Sequence, residues 1–254
     1  EKEKPHLDSI NVLYEALAKA VTDESRLNIQ KQINQQALKA SKYGLPNEFD
    51  KLLKSIGSTG INAFTNYEMT FYHNSFPSHE MERWLNIYSS RFKDPVFRSF
   101  QSELEVVYEE KNRSLDNFQR KIGEKIFEYM FPNLPYGQWS VLGKTEHLKN
   151  PSLIKMYEFY EKHYVSENMA LILTGNFDPE EVKPLIAASF KGFRTGSVEK
   201  LKLQALTPFE GIEKFNARMT PVKVGFTGFQ TAPQGHPDRP ALDVYEYMLS
   251  NNSS

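Results

Sequence analysis

The sequence contains no cysteine, and this absence removes several classes of protein and site. A disulfide framework, a thiolate metal site and a cysteine nucleophile all require that residue. The chain also lacks an excess of either charge, because 31 Lys and Arg residues stand against 32 Asp and Glu residues. A protein that binds nucleic acid normally shows a basic excess or a clustered basic stripe. The composition therefore argues against nucleic acid as a partner.

Long apolar runs are absent as well, and no run approaches the roughly 20 residues that a membrane-spanning helix needs. Hydrophobic residues at 39% and aromatic residues at 13% are nevertheless enough for a packed core. The 254 residues suffice for one large domain or two modest ones. Because the sequence opens with neither an initiator Met nor a signal peptide, we expect a fragment of a longer protein.

The first fifty residues show helical periodicity. Apolar residues recur at steps of three and four, as on one face of a helix, at Ile10, Leu13, Tyr14 and Leu17. Thr22 followed by two acidic residues predicts the start of a second helix, and Asn47 predicts the cap of a short third one. We interpret residues 1–54 as a solvated helical hairpin insertion.

The period changes in residues 61–76, where aromatic and β-branched residues alternate and predict a strand or hairpin. Ser78 predicts the cap of the next helix, which Asp94-Pro95 ends. The inner face of that helix is predicted to consist of Met81, Trp84, Leu85, Tyr88 and Phe92. A long helix is predicted from about Val96 to Met130.

The rest of the chain continues the mixture of strands and helices. Met169 to Thr174 is a short apolar run that predicts a buried strand. After a linker, two strand-like runs occur near Leu203 and at 222–229, followed by a helix over about 237–249. Strands interleaved with helices indicate an α/β or α+β architecture.

The long helix contains the most suggestive group of side chains. Glu103 and Glu110 lie about 20° apart on a helix that turns about 100° per residue. The same arithmetic places both at the margin of the apolar stripe, while Glu105 and Glu109 point nearer to solvent. Two acids beside a buried face suit a metal site or an acid–base pair. From spacing alone, a solvated helix with two boundary glutamates is the favoured interpretation, because charged helix edges are common.

The six histidines show no zinc-binding spacing. A zinc site on one helix needs imidazoles four residues apart, as in H-E-x-x-H or its inverse, and neither pattern occurs. His73 and His79 are six residues apart, which is not one helical turn. The sequence also has no P-loop and no G-x-S-x-G motif. Spacing alone therefore predicts no active site.

Several motifs occur in a fixed order over about residues 55–250. They are Asn62-Ala63-Phe64-Thr65 with Glu68 and Thr70, Asp94-Pro95-Val96-Phe97, Glu103-x-x-Val106-Val107-x-Glu109-Glu110, Pro135-Tyr136-Gly137, Phe159-Tyr160-x-x-x-Tyr164, Thr174-Gly175-Asn176-Phe177-Asp178 and His236-Pro237-Asp238. Each motif alone is weak. As a collinear set they resemble the pitrilysin/insulinase family of zinc metallopeptidases.

The resemblance implies roles for particular residues. In that family an inverted H-x-x-E-H helix supplies two imidazole ligands and a general-base glutamate, and a later glutamate supplies the third ligand. The matching position here is Glu110, with Glu103 as the acid that orients the zinc site. Segment Asn62, Ala63, Phe64 and Thr65 matches the strand that pairs with extended peptide substrates, on an exposed sheet edge facing Glu110.

The resemblance also implies the fold and its division. We expect an α/β (α+β) roll, with a mixed β-sheet and helices packed on it. Residues 1–195 would form an incomplete first domain, 196–202 a linker, and 203–254 the start of a second, homologous domain. The expected partners are peptide substrates, a missing amino-terminal segment and the carboxy-terminal half of the same protein, with no nucleic acid and no membrane span.

One departure from the family pattern is large. In short members the second histidine ligand would fall near Gln32 and Ile33, where this chain has no histidine. The hairpin insertion moves the expected H-x-x-E-H segment upstream of Glu1. We therefore expect Zn2+ in the full-length protein, and expect this chain alone to hold none and to be inactive, because a catalytic zinc needs three protein ligands.

Two other functions remain open from the sequence. A catalytically silent homologue could serve as a structural or substrate-binding partner. Alternatively, the chain could be an α/β interaction domain with no metal site near Glu110. The sequence before Glu1 would separate the first of these from an enzyme, because it would show whether H-x-x-E-H is intact. The sequence does not distinguish a periplasmic from a cytoplasmic location.

Overall fold

A computed structural model of the chain describes residues 2–45, 47–149, 151–218 and 225–250. The chain divides into two units, Glu1–Leu203 and Gln204–Ser254. The linker predicted at 196–202 and the homology of a second domain from residue 203 stay predictions. Within the described ranges, no helix is long and apolar enough to cross a bilayer.

The described residues form an α/β fold that is rich in helix. The elements, in chain order, are α1 (Lys4–Lys19), α2 (Asp23–Ala40), α3 (Glu48–Ser55), β1 (Thr59–Thr65), β2 (Thr70–Ser75), α4 (Met81–Lys93), α5 (Phe100–Asp116), α6 (Phe118–Met130), α7 (Pro135–Gln138), α8 (Thr145–Lys149), α9 (Leu153–His163), α10 (Pro179–Ser189) and α11 (Arg239–Ser250). Short 3-10 turns occupy Ser78–Glu80 and Ser166–Asn168.

The helical hairpin α1–α2 has its own core. Thr22 caps α2 as predicted, because its hydroxyl accepts the Ser25 N–H at 3.2 Å. Asn47 precedes α3 in a left-handed conformation, and its side chain makes no capping hydrogen bond. The buried residues of this core are Ile10, Tyr14, Leu17, Ile33 and, from α9, Leu153. This face of the hairpin is therefore not solvated, because α1 and α2 cover each other and α9 adds Leu153. That the hairpin is an insertion stays a prediction.

Helix α4 forms the centre of the larger core. All five residues predicted on its inner face are buried, and they pack against the β1–β2 hairpin, α9 and α10. The helix ends at Lys93, directly before Asp94-Pro95, as predicted. Its start is one turn later than predicted, because Ser78–Glu80 form a 3-10 turn. On its rim, the Arg91 guanidinium lies 4.0 Å from the Phe49 ring centre and 4.7 Å from that of Tyr72.

Asn74 of β2 satisfies the polar groups inside this aromatic core. Its Oδ1 accepts the Trp84 indole N–H at 3.0 Å and the Tyr88 hydroxyl at 2.8 Å. Its Nδ2 donates to the hydroxyl of buried Ser58 at 3.1 Å. Burial raises the pKa of Tyr88, and the Arg91 guanidinium partly offsets that effect. One side-chain amide thus supplies hydrogen bonds to three groups that packing removes from water.

The long helix predicted over Val96–Met130 is two helices. Helix α5 begins only at Phe100, after Ser99 in a left-handed conformation with φ 54°. The break falls at Asn117, whose Oδ1 accepts the Arg120 N–H at 3.0 Å and so caps α6. The buried residues of α5 are Lys111 and Ser114, and α6 has none. The apolar stripe is therefore incompletely covered by the described part of the chain.

The run Met169 to Thr174 is not a strand. Leu171 and Ile172 are 42% and 68% exposed, while Met169 and Leu173 pack on the α4 core. Among the described residues no other segment pairs with this backbone. In the described part of the chain, the sheet consists of the two antiparallel strands β1 and β2. The mixed sheet was expected from the resemblance and this strand from an apolar run, but a run becomes a strand only when a neighbour completes its hydrogen bonds.

In the second unit, the predicted terminal helix is present as α11. No strand forms near Leu203 or over 225–229, and residues 222–224 of the predicted second strand lie outside the described residues. The apolar side chains of α11 that are exposed are Val244, Tyr245, Tyr247, Met248 and Leu249.

Candidate functional site

The two glutamates singled out by their spacing lie on α5. Glu103 is in the first turn, and Glu110 follows seven residues later, about 10 Å farther along the axis. Both side chains are exposed, as are those of Glu105 and Glu109. The predicted contrast between boundary and solvent-facing acids is therefore wrong, because the described segments cover the adjacent apolar stripe only in part. Glu103 and Glu110 are free to face a ligand from outside.

Glu105 is tied to the helical hairpin. The Tyr14 hydroxyl donates to Gln101 Oε1 at 2.6 Å, and Gln101 Nε2 donates to Glu105 Oε1 at 2.9 Å. Burial raises the pKa of Tyr14, and the negative charge of Glu105 raises it further. This chain of hydrogen bonds fixes the side of α5 that faces α1.

The described residues do not form a metal site by themselves. They contain no group of three or more His, Asp or Glu side chains that could hold a metal ion. Glu103 and Glu110 are two carboxylates on one helix, and a catalytic zinc site needs three converging protein ligands. The described residues therefore do not fit a complete zinc centre. At most, they supply one carboxylate ligand to such a centre.

The Asn62–Thr65 segment forms most of β1, and all four residues are exposed. Strand β1 pairs on one side with β2, and its other edge has no strand partner among the residues described. Ala63 lies opposite Tyr72, yet its N–H donates to Asn62 Oδ1 at 2.8 Å. Two residues that form a non-hydrogen-bonded pair in an antiparallel ladder, as Ala63 and Tyr72 do, direct their N–H and C=O groups away from each other. Ala63 therefore offers its backbone to the free edge.

The turn between β1 and β2 is held by a segment that follows α6. The Tyr67 hydroxyl donates to the Trp139 carbonyl oxygen at 2.8 Å, and the Tyr136 hydroxyl donates to Glu68 Oε1 at 2.9 Å. The rings of Tyr67 and Tyr136 meet edge to face, with centres 5.0 Å apart. The hydrogen bond to Glu68 raises the pKa of Tyr136, and burial raises that of Tyr67.

The same segment is attached to α5. Lys111, which is only 7% exposed, donates from Nζ to Ser140 Oγ at 3.0 Å. Ser140 in turn donates to the Gly143 carbonyl oxygen at 3.1 Å. Gly137 allows the segment to lie close to α6, because a Cβ there would be 2.7 Å from the Phe127 carbonyl oxygen.

The sequence analysis identified Pro135-Tyr136-Gly137 as one of the motifs of the resemblance, and it assigned no role to either this motif or Lys111. A lysine beside two glutamates is typical of a solvated helix, and burial of Lys111 depends on a segment about thirty residues later in the sequence. The signal that could have indicated a contact is the Pro and Gly pair around Tyr136, since proline restricts the backbone and glycine, which has no Cβ, permits a close approach to another segment.

Two family profiles match the chain. The family described as Insulinase (Peptidase family M16) matches residues 33–139, and the one described as Peptidase M16 inactive domain matches residues 152–254. The first match includes Glu103, Glu110 and both strands. Together the two matches take in most of the chain.

Curated relatives are similar over much of the chain but are much longer. A Rickettsia felis protein described as an uncharacterized zinc protease is 23% identical over 195 residues, which are 76% of this chain and 47% of that protein. A Haemophilus influenzae protein described as the probable zinc protease PqqL is 27% identical over 177 residues, which are 65% of this chain and 18% of that protein. The chain thus spans less than half the length of these relatives.

Two solved structures share the fold. The first half of the periplasmic protease PqqL from Escherichia coli has a TM-score of 0.55 at 17% identity, over 62% of this chain and 35% of that one. A protease from Helicobacter pylori has a TM-score of 0.51 at 22% identity, over 63% of this chain and 38% of that one. At these identities the likeness concerns the fold alone.

Proposed function

Because this chain belongs to the pitrilysin/insulinase family of zinc metallopeptidases (peptidase family M16), we propose that it is part of a zinc-dependent endopeptidase. The full-length protein would hydrolyse extended peptides in a chamber between two halves. The observation that carries this proposal is the match of residues 33–139 to the insulinase family, since that segment contains both the free edge of β1 and the two exposed glutamates.

Glu110 is proposed to supply one carboxylate ligand to zinc, and Glu103 to orient the site through a hydrogen bond to a group near the metal. The remaining ligands and the general base would come from outside this chain. Zinc in such a site polarises the scissile carbonyl and lowers the pKa of bound water. What this chain contributes is an exposed carboxylate on a helix whose other side is fixed by Tyr14 and Lys111.

The free edge of β1 is proposed to bind the peptide. An edge strand offers unpaired N–H and C=O groups, and an extended peptide can add to it as a further strand. The backbone N–H of Ala63 points to this edge, where it donates a hydrogen bond to the Asn62 side-chain amide oxygen. An incoming peptide would replace that amide oxygen with its own carbonyl. That the edge faces Glu110 is part of this proposal.

A catalytically silent homologue is the second candidate. The match of residues 152–254 to the family described as Peptidase M16 inactive domain is compatible with it, although that match does not include Glu103, Glu110 or β1. The absence of a metal-binding cluster from the described ranges is compatible with both candidates. The silent homologue predicts peptide binding at β1 without zinc-dependent cleavage by the full-length protein.

We predict that Ala63→Pro weakens binding and cleavage of an extended peptide about tenfold, because proline removes the N–H that faces the free edge and adds bulk there. Peptide affinity and cleavage by the full-length protein measure this. Thr70→Pro is the matched control, since Thr70 opposes Thr65 and its backbone points to the opposite edge of the hairpin. Equal losses from both substitutions would contradict binding at the β1 edge.

We also predict that the 254-residue chain, purified alone, holds no stoichiometric zinc and cleaves no peptide. A single carboxylate does not supply the donor set or the geometry of a catalytic site. Metal analysis and a peptide-cleavage assay with and without a chelator measure this. One tightly bound zinc per chain with chelator-sensitive cleavage would show that the ligands have been assigned to the wrong residues.

A further inference from the structure

Residues 135–143, which comprise the single-turn helix α7 and the residues after it, contact both parts of the proposed site and are here called the bridging loop. At one end Tyr136 and the Trp139 carbonyl oxygen hold the β1–β2 turn through Glu68 and Tyr67. At the other end Ser140 accepts the hydrogen bond from Lys111 of α5. The strand with the free edge and the helix with Glu110 are thus fastened to one short segment.

We propose that the bridging loop is a positioning element, which sets where the free edge of β1 lies relative to Glu110. Tyr136 and Lys111 are its positioning residues. This role rests on the proposed function, because it matters only if a peptide bound along β1 is cleaved near Glu110. Neither residue touches the peptide in this proposal, and each acts through the segment it holds.

The burial of Lys111 supports a positioning role. An amine buried against a neutral hydroxyl costs more free energy than an apolar side chain of similar length, so packing alone does not explain a lysine there. A hydrogen bond is directional, whereas an apolar contact tolerates sliding. The Lys111 bond to Ser140, continued to the Gly143 carbonyl, therefore fixes the loop in register with α5 one residue after Glu110.

The hydrogen bonds between the bridging loop and the β1–β2 turn also support a positioning role. The turn exposes Tyr67 and Glu68, and it closes without an outside partner. The Asn66 N–H donates to the Met69 carbonyl oxygen, and Asn66 Oδ1 accepts the N–H groups of Glu68 and Met69. The additional bonds from Tyr136 and to Trp139 are therefore attachments of a turn that is already formed. They restrain its direction.

The expected effect of loosening the bridging loop depends on the length of the peptide substrate. A long peptide that pairs with β1 reaches the reaction centre only if edge and centre are held in the right relation, and a displacement of about 1 Å can cost up to roughly 100-fold in rate. A short peptide that spans only the cleaved bond and its neighbours does not use the edge. Loosening the bridging loop should therefore slow cleavage of the long peptide selectively.

The test compares Tyr136→Phe and Lys111→Met with the control variants Tyr43→Phe and Lys121→Met, whose side chains are exposed. In the full-length protein, we expect each of the first pair to lower kcat/KM for a long extended peptide about tenfold, while the short peptide changes less than about twofold. The controls should change neither. Equal losses on both peptides would indicate general destabilisation and overturn the proposal, as would no loss on either.

A second measurement does not depend on peptidase activity. The chain has two tryptophans, of which Trp84 is 6% exposed and Trp139 47% exposed, so iodide quenching of fluorescence reports Trp139. We expect Glu68→Ala and Tyr136→Phe each to change the quenching of the 254-residue chain, and the double variant to change it no further, because both remove one bond. Unchanged quenching in every variant, with a wild-type enzyme that cleaves peptides, would overturn the bridging loop alone. The expected quenching with a wild-type protein that cleaves nothing would overturn the proposed function and the positioning role with it.

Discussion

Glu110→Gln in the full-length protein is expected to abolish tight zinc binding and to lower peptide cleavage by more than about 100-fold. Loss of a partner that only orients a ligand costs about 10-fold to 100-fold, and loss of a ligand itself should cost more. The amide is nearly the same size as the carboxylate but is neutral, so it is a weaker oxygen donor for Zn2+. Zinc content per chain and the rate of chelator-sensitive cleavage measure the two losses.

Matched substitutions on the same helix make this result specific. Glu109→Gln changes the preceding residue, which is also an exposed glutamate, and should leave zinc content and rate within about twofold. Glu103→Gln should give an intermediate loss of about 10-fold to 100-fold, as expected for a residue that orients the site. If the Glu109 and Glu110 variants behave alike, Glu110 is not a ligand.

Asn74→Ala is expected to lower the free energy of unfolding by about 3 kcal/mol. The substitution leaves the Trp84 N–H, the Tyr88 hydroxyl and the Ser58 hydroxyl without this partner, and each buried polar group left unsatisfied costs roughly 1–3 kcal/mol, some of which water entering the gap recovers. A domain with about 5–15 kcal/mol of stability would show this clearly. Urea unfolding of the 254-residue chain measures it.

Asn28→Ala is the matched control, because Asn28 is exposed on α2 and the change should alter stability by less than about 1 kcal/mol. Trp84→Phe keeps most of the ring packing and removes the N–H that Asn74 accepts. In a double-mutant cycle, Asn74→Ala and Trp84→Phe should therefore cost less together than the sum of the two single changes. Strictly additive losses would show that the hydrogen bond is not the source of the effect.

Local patterns in the sequence were sufficient for elements that depend on near neighbours. The inner face of α4, the Thr22 cap and the hairpin of β1 and β2 were all predicted, because side chains three or four apart on a helix, or two apart on a strand, share a face whatever lies opposite. Family membership was also legible in the sequence, since the motifs occur in one order. The assignments of Glu103 and Glu110 rest on that resemblance and stay predictions.

Which faces are covered was decided only by tertiary structure. The sequence predicted a buried stripe on one long helix, whereas α5 and α6 are separate, α5 buries Lys111 and Ser114 instead, and α6 buries no residue. It predicted a buried strand at 169–174, which has no partner among the described residues to complete its hydrogen bonds. Periodicity records which residues share a face, but burial and strand pairing require a second surface that can be far away in the sequence. The hydrogen bonds from Lys111 and Tyr136 to distant segments arise for the same reason, so the structure alone shows them.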